Sequence, residues 1–460
     1  MYLGPRLRRL RRDLGLTQAD MASDLGISPS YIALMERNQR PMTAETLLRL
    51  ARAYKVDLSD FAEDTGPDLI ARLQSTMRDP IFGDIDFSSL DISDFVHSFP
   101  GFADAMLRLH TAYKEEQFAL ADRREAGTAE GAEIADPVAA LRSFLSARRN
   151  CFPVLDTAAE KLSSRIAGAG GLVSYFRDAH RLRVRRLPSD VMTGTLRRLD
   201  RHRKDILLDE TLDFASQNFQ LAQQLAYLEL EPEINSAVEE GKFENENARR
   251  LARRTLAAYC AGAIIMPYAA FARAAEARGY DVETLGRQFG TSFEQSAHRL
   301  TTLQKPGHER IPFFFIRVDA AGNISKRLNS GTFPFARHGG GCPLWTVHQV
   351  FTAPRQVVTQ WLELPDGQRF FSIARTVSSG GGGFGASRVE RAVALVCDAD
   401  HADRLVYTRQ HPQAAPTPIG ITCRLCHRID CLSRSEPPIG RQILPDEFRR
   451  PTTPFGFSDV

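Results

Sequence analysis

The sequence lacks a long apolar segment, which limits the classes of protein it can encode. No apolar run among its 460 residues reaches the roughly 18 residues that a membrane-spanning helix needs. Its basic start, MYLGPRLRRLRRDLG, is not followed by the apolar core of a signal peptide, so we expect a cytoplasmic protein. The net charge is only +3, so bulk charge alone indicates no partner.

The chain also lacks internal repeats, and its character changes along its length. Residues 1–65 have the pattern of a compact helical domain, and residues 66–137 that of a helical connector ending in a small, acidic linker. Apolar residues recur at intervals of three and four across 138–305, which is typical of helices. Runs of β-branched and aromatic residues between turn signals fill 306–460, which is typical of strands. We therefore predict a multidomain α+β protein.

The first domain contains LTQADMASDLGISPSYIALMERNQR, which has the signals of two short helices and a turn. Thr17 is a predicted helix N-cap and Gly26 a helix end, while Ser28 caps a second helix that has Pro29 in its first turn. Two short helices joined by a Gly-containing turn form a helix-turn-helix. Residues 1–55 hold ten Lys and Arg against five Asp and Glu, a balance that favours DNA binding.

The second helix of such a motif enters the major groove of double-stranded DNA. Its first residues, Ser28, Ser30 and Tyr31, are therefore predicted to contact base edges, and Gln18 on the preceding helix a phosphate. The predicted phosphate contacts after the recognition helix are Arg37, Asn38 and Arg40. This stretch resembles the xenobiotic-response-element (Cro-like) family, which implies a homodimer on a two-fold operator. A helix-turn-helix used only for protein contacts is the alternative.

Two landmarks of the middle domain, FQLAQQLAYLE and AAYCAGAIIMPYAAF, resemble the ImmA/IrrE-type metalloprotease (zincin-like) domain. In that family a helix carries His-Glu-x-x-His, because residues four apart share a face and can hold zinc together. The matching positions here are Gln223, Gln224, Leu225, Ala226 and Tyr227. Both histidines and the general-base glutamate are absent. The resemblance thus implies a degenerate, mainly helical fold without hydrolytic activity, and we expect no enzyme.

The whole arrangement resembles the short-chain fatty acyl-CoA regulators, which are bacterial transcription factors. The stretches that carry the resemblance are SPSYIALMERNQRP, FQLAQQLAYLE, AGAIIMPY, FFFIRVDAAGNISKR, GGGCPLW, IARTV and GITCRLCHRIDC. The resemblance implies control of short-chain fatty acid metabolism by an acyl-CoA that changes operator affinity. We expect the C-terminal domain to be α+β and PAS/GAF-like.

An acyl-CoA needs cationic groups for its phosphates and a small apolar pocket for its acyl group. The predicted ligand contacts are Arg183, Arg197, Tyr259 and Arg317. The first two belong to an arginine-rich segment, and Arg317 lies in a predicted strand, where a charge is unusual. For each residue, a solvated arginine or a core tyrosine is the alternative.

Three of the seven cysteines, Cys423, Cys426 and Cys431, fall within nine residues. The two-residue spacing of the first pair lets two thiolates reach one metal from a tight turn. Cys342 is the predicted fourth ligand, and Cys397 and His427 are the alternatives for that position. Zinc bound by four thiolates is the leading hypothesis, and a 4Fe-4S cluster or unliganded thiols are the alternatives. A redox-sensing or iron–sulfur-sensing transcription factor is accordingly the second functional hypothesis, whereas a regulated peptidase is disfavoured.

Overall fold

The structure is a computed structural model in which the chain forms two compact units, residues 1–120 and 121–460. Each unit is described by itself. The described residues are 4–37, 39–54, 67–82, 85, 87–103, 105–107, 109–110, 113, 137–334, 341–381, 385, 388–409, 414–438, 443–445 and 447–457.

The first unit begins with the predicted helix-turn-helix. Its helices are α1 (Gly4–Asp13), α2 (Gln18–Leu25), α3 (Pro29–Glu36) and α4 (Ala44–Tyr54). Thr17 forms a capping box with Asp20, and Gly26 ends α2 with a φ of 65°, a left-handed conformation that glycine adopts without strain. Ser28 accepts a hydrogen bond from the backbone N–H of Tyr31 and so starts α3. A small apolar core holds the helices together, formed by Leu7, Met21, Ala22, Leu25, Ile32, Met35, Met42 and Leu50.

The rest of the first unit contains a second, smaller helical group. Its elements are α5 (Pro67–Met77), a short 3₁₀ helix (Pro80–Phe82), α6 (Ser89–Ser98) and the helical residues 100–103 and 105–107. Ser88 and Asp91 form a capping box at the start of α6. Leu73, Ile92 and Val96 pack together inside this group.

The second unit opens with a helical half that encloses a small sheet. Its helices are α7 (Pro137–Ala147), α8 (Pro153–Gly168), α9 (Leu172–His180), α10 (Ser189–Met192), α11 (Phe214–Glu229), α12 (Glu231–Glu240), α13 (Glu246–Ile265), α14 (Tyr268–Ala277), α15 (Val282–Phe289) and α16 (Phe293–Leu300). The strands are β1 (Arg183–Leu187), β2 (Arg197–Asp200) and β3 (Asp205–Asp209), in the order β1-β3-β2. Strand β3 is buried along its whole length, parallel to β1 and antiparallel to β2.

The second half of this unit is built on a six-stranded sheet. Its strands are β4 (Phe314–Val318), β5 (Ile324–Asn329), β6 (Val358–Glu363), β7 (Arg369–Gly380), β8 (Arg388–Asp398) and β9 (Thr417–Pro418). Their order is β5-β4-β8-β7-β6-β9, antiparallel except for the pair β6–β9. Strands β7 and β8 form a long hairpin, and β7 extends as far as Gly380.

Both halves of the second unit share contacts, so the predicted domains 138–305 and 306–460 pack as one body. The side chain of Asn150 donates to the carbonyl of Asn329 at 3.0 Å. Ser330 donates to the carbonyl of Thr301 at 2.7 Å. Within the described part of the chain no single helix is long and apolar enough to cross a membrane. The pair α13 and α14, bent by 64°, would pass only when counted together and only by length and composition.

Candidate functional site

The recognition helix α3 exposes the residues that the sequence assigns to DNA. Ser28 and Ser30 are exposed at its start, and Arg37 and Arg40 are exposed just beyond its end. Tyr31 is half-buried and packs against the small core of the helix-turn-helix. Asn38 lies outside the described residues. The first turn of α3 therefore presents hydroxyl groups, and the residues after it present guanidinium groups, as groove and phosphate contacts require.

Gln18 has a structural contact that the sequence analysis missed. Its amide donates to the Glu36 carboxylate at 2.6 Å, and Arg11 donates to the same carboxylate at 2.6 and 3.2 Å. The Glu36 side chain has no exposed surface. This buried cluster ties α1 and α2 to the end of the recognition helix, and the second N–H of the Gln18 amide is left to donate to the predicted DNA phosphate.

An arginine of strand β2 lies against the face of helix α11 where the protease family would bind its metal. Arg197 on β2 donates to the carbonyl of Gln220 and lies 3.5 Å from the side-chain oxygen of Gln223. Its guanidinium carbon lies 5.8 Å from the ring centroid of Tyr227. Gln223 and Tyr227 are the two positions that would carry the zinc-binding histidines. Burial lowers the pKa of Arg197, although arginine stays charged at any working pH. A fixed cation at this face opposes the binding of a second cation.

The other three predicted ligand contacts lie in different environments. The side chain of Arg183 is 69% exposed and pairs with Asp205 at 2.9 Å. Tyr259 is buried, donates to Asp156 at 2.6 Å and accepts the backbone N–H of Phe152 at 3.1 Å. Both hydrogen bonds of its hydroxyl thus stay within the protein.

Arg317 belongs to a small polar group on β4, β5 and α16. It pairs with Glu294 at 2.7 Å and is the cross-strand partner of Lys326. Burial lowers the pKa of Lys326 to about 8. Burial and the charges of Lys326, Arg299 and Arg317 also lower the pKa of His298. His298 was missed by the sequence analysis, whereas Lys326 lies in the same FFFIRVDAAGNISKR stretch as the predicted contact Arg317.

A buried ion pair, together with a tyrosine bonded to it, connects helices α8, α13 and α16. Arg299 donates to Asp156 at 2.7 Å, and both side chains are 2% exposed. The same guanidinium donates to the carbonyl of Met266 at 3.0 Å and to Thr302 at 2.9 Å. Burial, followed by the Asp156 charge, raises the pKa of Tyr259 well above its ordinary value. Tyr259, Asp156 and Arg299 therefore act as one satisfied network.

The four predicted metal ligands line one small cavity, even though Cys342 lies far from the other three in the sequence. The residues that line this cavity are Cys342, Pro343, Pro418, Gly420, Thr422, Cys423, Cys426, Arg428, Cys431 and Arg434. Cys397 is buried in the sheet and does not line the cavity.

Polar groups around this cavity contact the sulfur atoms and the loop that carries them. Burial raises the pKa of the Cys342 thiol, and backbone N–H groups of Gly420 and Leu344 oppose that effect. The hydroxyl of Ser435 lies 3.3 Å from the Cys423 sulfur. Arg434, which is 3% exposed, donates to the carbonyls of residues 423, 426 and 428.

The chemistry of the donor set suits a soft metal, because four thiols and two arginines face one space. N–H groups and guanidinium charges stabilise thiolates. Among the described side chains, however, no group of three or more His, Cys, Asp or Glu residues is arranged to hold a metal ion. Binding would therefore require the thiols to draw together.

Comparison with known proteins gives the class and then the family. Residues 7–61 match the helix-turn-helix family model, and residues 177–301 match the IrrE N-terminal-like domain. Residues 302–455 match the C-terminal domain of the short-chain fatty acyl coenzyme A regulators. Together with the exposed recognition helix, these matches define a helix-turn-helix transcriptional regulator.

Relatives that match this chain over nearly their whole length identify its family. The HTH-type transcriptional regulator RamB of Mycobacterium tuberculosis is 36% identical over 467 residues, covering 99% of this chain and 98% of its own. The propionyl-CoA carboxylase regulator of Cereibacter sphaeroides is 36% identical over 462 residues, covering 100% and 99%. A solved Mycobacterium tuberculosis transcriptional regulator, also 36% identical, superposes with a TM-score of 0.65 over 70% of this chain and 99% of that chain. The chain belongs to the short-chain fatty acyl-CoA regulator family.

Proposed function

We propose that this regulator binds an acyl-CoA in its second unit and thereby changes the affinity of α3 for its operator. The observation that carries the proposal is the state of α11: its protease positions are Gln223, Gln224 and Tyr227, and Arg197 packs against the first and the last of these. With a cation in place of the family's metal ligands, this face of α11 suits an anionic ligand better than a metal ion. The name of the Cereibacter relative favours propionyl-CoA as the first ligand to test.

The predicted ligand contacts divide into two groups in this proposal. Arg197 has a partly buried guanidinium without a carboxylate partner in the described contacts. Arg317 lies beside a second cation, Lys326. The guanidinium groups of Arg197 and Arg317 can therefore each bind a phosphate. Arg183 is exposed and can contribute at the rim. Tyr259 would act by holding Asp156 and Arg299 in place, since its hydroxyl is already engaged on both sides.

The remaining parts of the proposal concern assembly. We infer a cytoplasmic homodimer on a two-fold operator, because helix-turn-helix units read palindromes in pairs. The antiparallel sheet β5-β4-β8-β7-β6, whose first two strands form an edge hairpin, supports a PAS/GAF-like sensor for the C-terminal half. A ligand changes DNA affinity only if it binds the two states of the dimer differently.

Ser30→Glu is expected to weaken operator binding by about 100-fold or more, equivalent to about 3 kcal/mol, because it brings a carboxylate to the phosphates and base edges. Helix α3 should remain folded, since an acid is favourable in a first helical turn. The operator is obtained by selection from random duplexes with the full chain, and affinity is measured by fluorescence anisotropy. The matched control is Ser164→Glu on the exposed face of α8. Equal loss in both variants would contradict a groove-reading role for α3.

We also propose that the four cavity cysteines bind zinc, with a 4Fe-4S cluster as the alternative. Protein purified without oxygen is expected to contain one zinc per chain and to be colourless, whereas brown absorbance with iron and sulfide indicates the cluster. Cys423→Ser should lose most of the metal, because a hydroxyl is a poor ligand for these metals. Cys397→Ser, outside the cavity, should retain it. A folded wild-type protein without metal would refute both forms of the site.

A further inference from the structure

The three-stranded sheet of the second unit carries a concentration of positive charge, of which the proposed function uses only Arg183 and Arg197. Segment 181–204 contains nine Lys and Arg residues against two Asp residues. The side chains of Val184, Leu199 and Ile206 pack into the core. Because side chains alternate along a strand, their neighbours project from the opposite face. That outward side, the turn after β2 and the cap at the end of α9 expose six arginines, here called the basic face: Arg181, Arg183, Arg185, Arg198, Arg201 and Arg203.

Few carboxylates neutralise the basic face. Arg183 and Arg185 share the buried Asp205, at 2.9 and 3.4 Å. The Asp200 carboxylate accepts backbone N–H groups from the turn after β2. No ion pair is found for Arg181, Arg198, Arg201 or Arg203 within the described contacts. The face therefore keeps a net positive charge in water.

The composition of the basic face favours duplex DNA over single-stranded nucleic acid. Single-stranded nucleic acids are held by aromatic side chains on which bases stack, and segment 181–204 has no Phe, Trp or Tyr. Arginine forks match phosphate oxygens, and duplex DNA carries one charge per about 1.7 Å of axis. The same chain carries a groove-reading helix, so duplex DNA is the polyanion that the proposed function already assigns to this protein.

We propose that the basic face binds the phosphate backbone of duplex DNA beside the operator half-site. It adds sequence-independent contacts to the sequence-reading contacts of α3. The inference rests on operator binding by α3, and it adds a second DNA-contacting surface in the second unit. Such contacts raise affinity without changing which sequence is preferred.

The test compares the salt dependence of DNA binding on two duplexes, one holding the operator alone and one with long flanks. The variant is the triple change Arg198→Ala, Arg201→Ala and Arg203→Ala, which leaves Arg183 and its ion pair intact. The matched control changes three other exposed arginines without ion pairs in the described contacts, Arg254, Arg273 and Arg278, to alanine. Thermal unfolding of all three proteins shows that the comparison is made on folded chains.

The logarithm of the DNA association constant falls as the logarithm of salt concentration rises. On the long duplex, this fall should be less steep for the triple variant than for the wild type, by about 0.9 in slope for each lost phosphate contact. On the short duplex its slope should match that of the wild type, and the control should match on both. An unchanged slope on the long duplex overturns the proposal while leaving operator binding intact. The proposal is equally overturned if the triple variant loses only acyl-CoA affinity, since the face would then serve ligand phosphates. A wild-type chain that binds no operator would reject both the proposed function and this inference.

Discussion

Replacing Glu36 with alanine is expected to destabilise the helix-turn-helix by about 3 kcal/mol or more and to abolish operator binding at 37 °C. The Glu36 side chain is fully buried and accepts hydrogen bonds from Arg11 and Gln18. Removing the carboxylate leaves the Arg11 guanidinium, which is only 13% exposed, without its partner. Thermal or urea unfolding of the full chain, followed by circular dichroism, measures the loss in the transition of the first unit.

The control for this change is Glu45→Ala, which removes an exposed carboxylate from a surface pair with Arg49. Such pairs contribute little, so its unfolding free energy should stay within about 0.5 kcal/mol of the wild type. A similar small effect of Glu36→Ala would show that the buried cluster does not hold α3.

The Glu36 cluster also predicts a pH dependence. Burial by itself would raise the pKa of Glu36, but hydrogen bonds from Arg11 and Gln18 and the charges of Arg11 and Arg8 lower it below its ordinary value of 4.5. The stabilising contribution is therefore fully present above about pH 4.5 and is lost as the pH falls through the folded-state pKa. The wild type should lose stability in this acidic range faster than the Glu36→Ala variant.

Replacing Asp156 with asparagine is expected to destabilise the second unit by about 3 to 5 kcal/mol. The change keeps the shape of the side chain but leaves the charge of Arg299 buried and uncompensated. It also weakens the hydrogen bond that fixes Tyr259. Since these residues connect α8, α13 and α16, we expect the acyl-CoA response to be lost together with stability. Calorimetric unfolding and acyl-CoA titration of the same protein measure both effects.

Two further variants separate charge burial from simple disruption. Asp178→Asn removes an exposed partner of Arg177 and should change the unfolding free energy by less than about 1 kcal/mol. The double change Asp156→Leu and Arg299→Met replaces the whole pair by apolar groups and should recover much of the lost stability. If the double variant is as unstable as Asp156→Asn, an uncompensated charge is not the cause.

Local signals explain why the helix-turn-helix could be predicted residue by residue. The bounds of α2, Gln18–Leu25, depend on Thr17 and Gly26, whose effects extend over one helical turn. Strands β6, β7 and β8 lie within 306–460, where strands were predicted for a similar reason, since each has an apolar run next to a turn signal. Strand β2 was missed because two of its four residues are arginines, and only its pairing with β3 makes it a strand.

The candidate site depends on contacts between residues far apart in the sequence, and these were harder to predict. The spacing of Cys423 and Cys426 indicated a thiolate cluster, and the fold brings Cys342 to the same cavity. Nothing in the local sequence indicated that Arg197 would lie against Gln223 and Tyr227, or that Asp156 would pair with Arg299. Both contacts join elements that only the tertiary fold brings together.

Coupling between ligand and operator is the most direct test of the proposed regulator. Operator affinity of the full chain is measured by anisotropy without ligand and at saturating propionyl-CoA, with free coenzyme A and propionate as comparators. Propionyl-CoA affinity is then measured by calorimetry with and without operator. We expect propionyl-CoA to change operator affinity by about 5- to 150-fold, and the operator to change propionyl-CoA affinity by the same factor. Tight operator binding that is identical at every propionyl-CoA concentration would contradict the account.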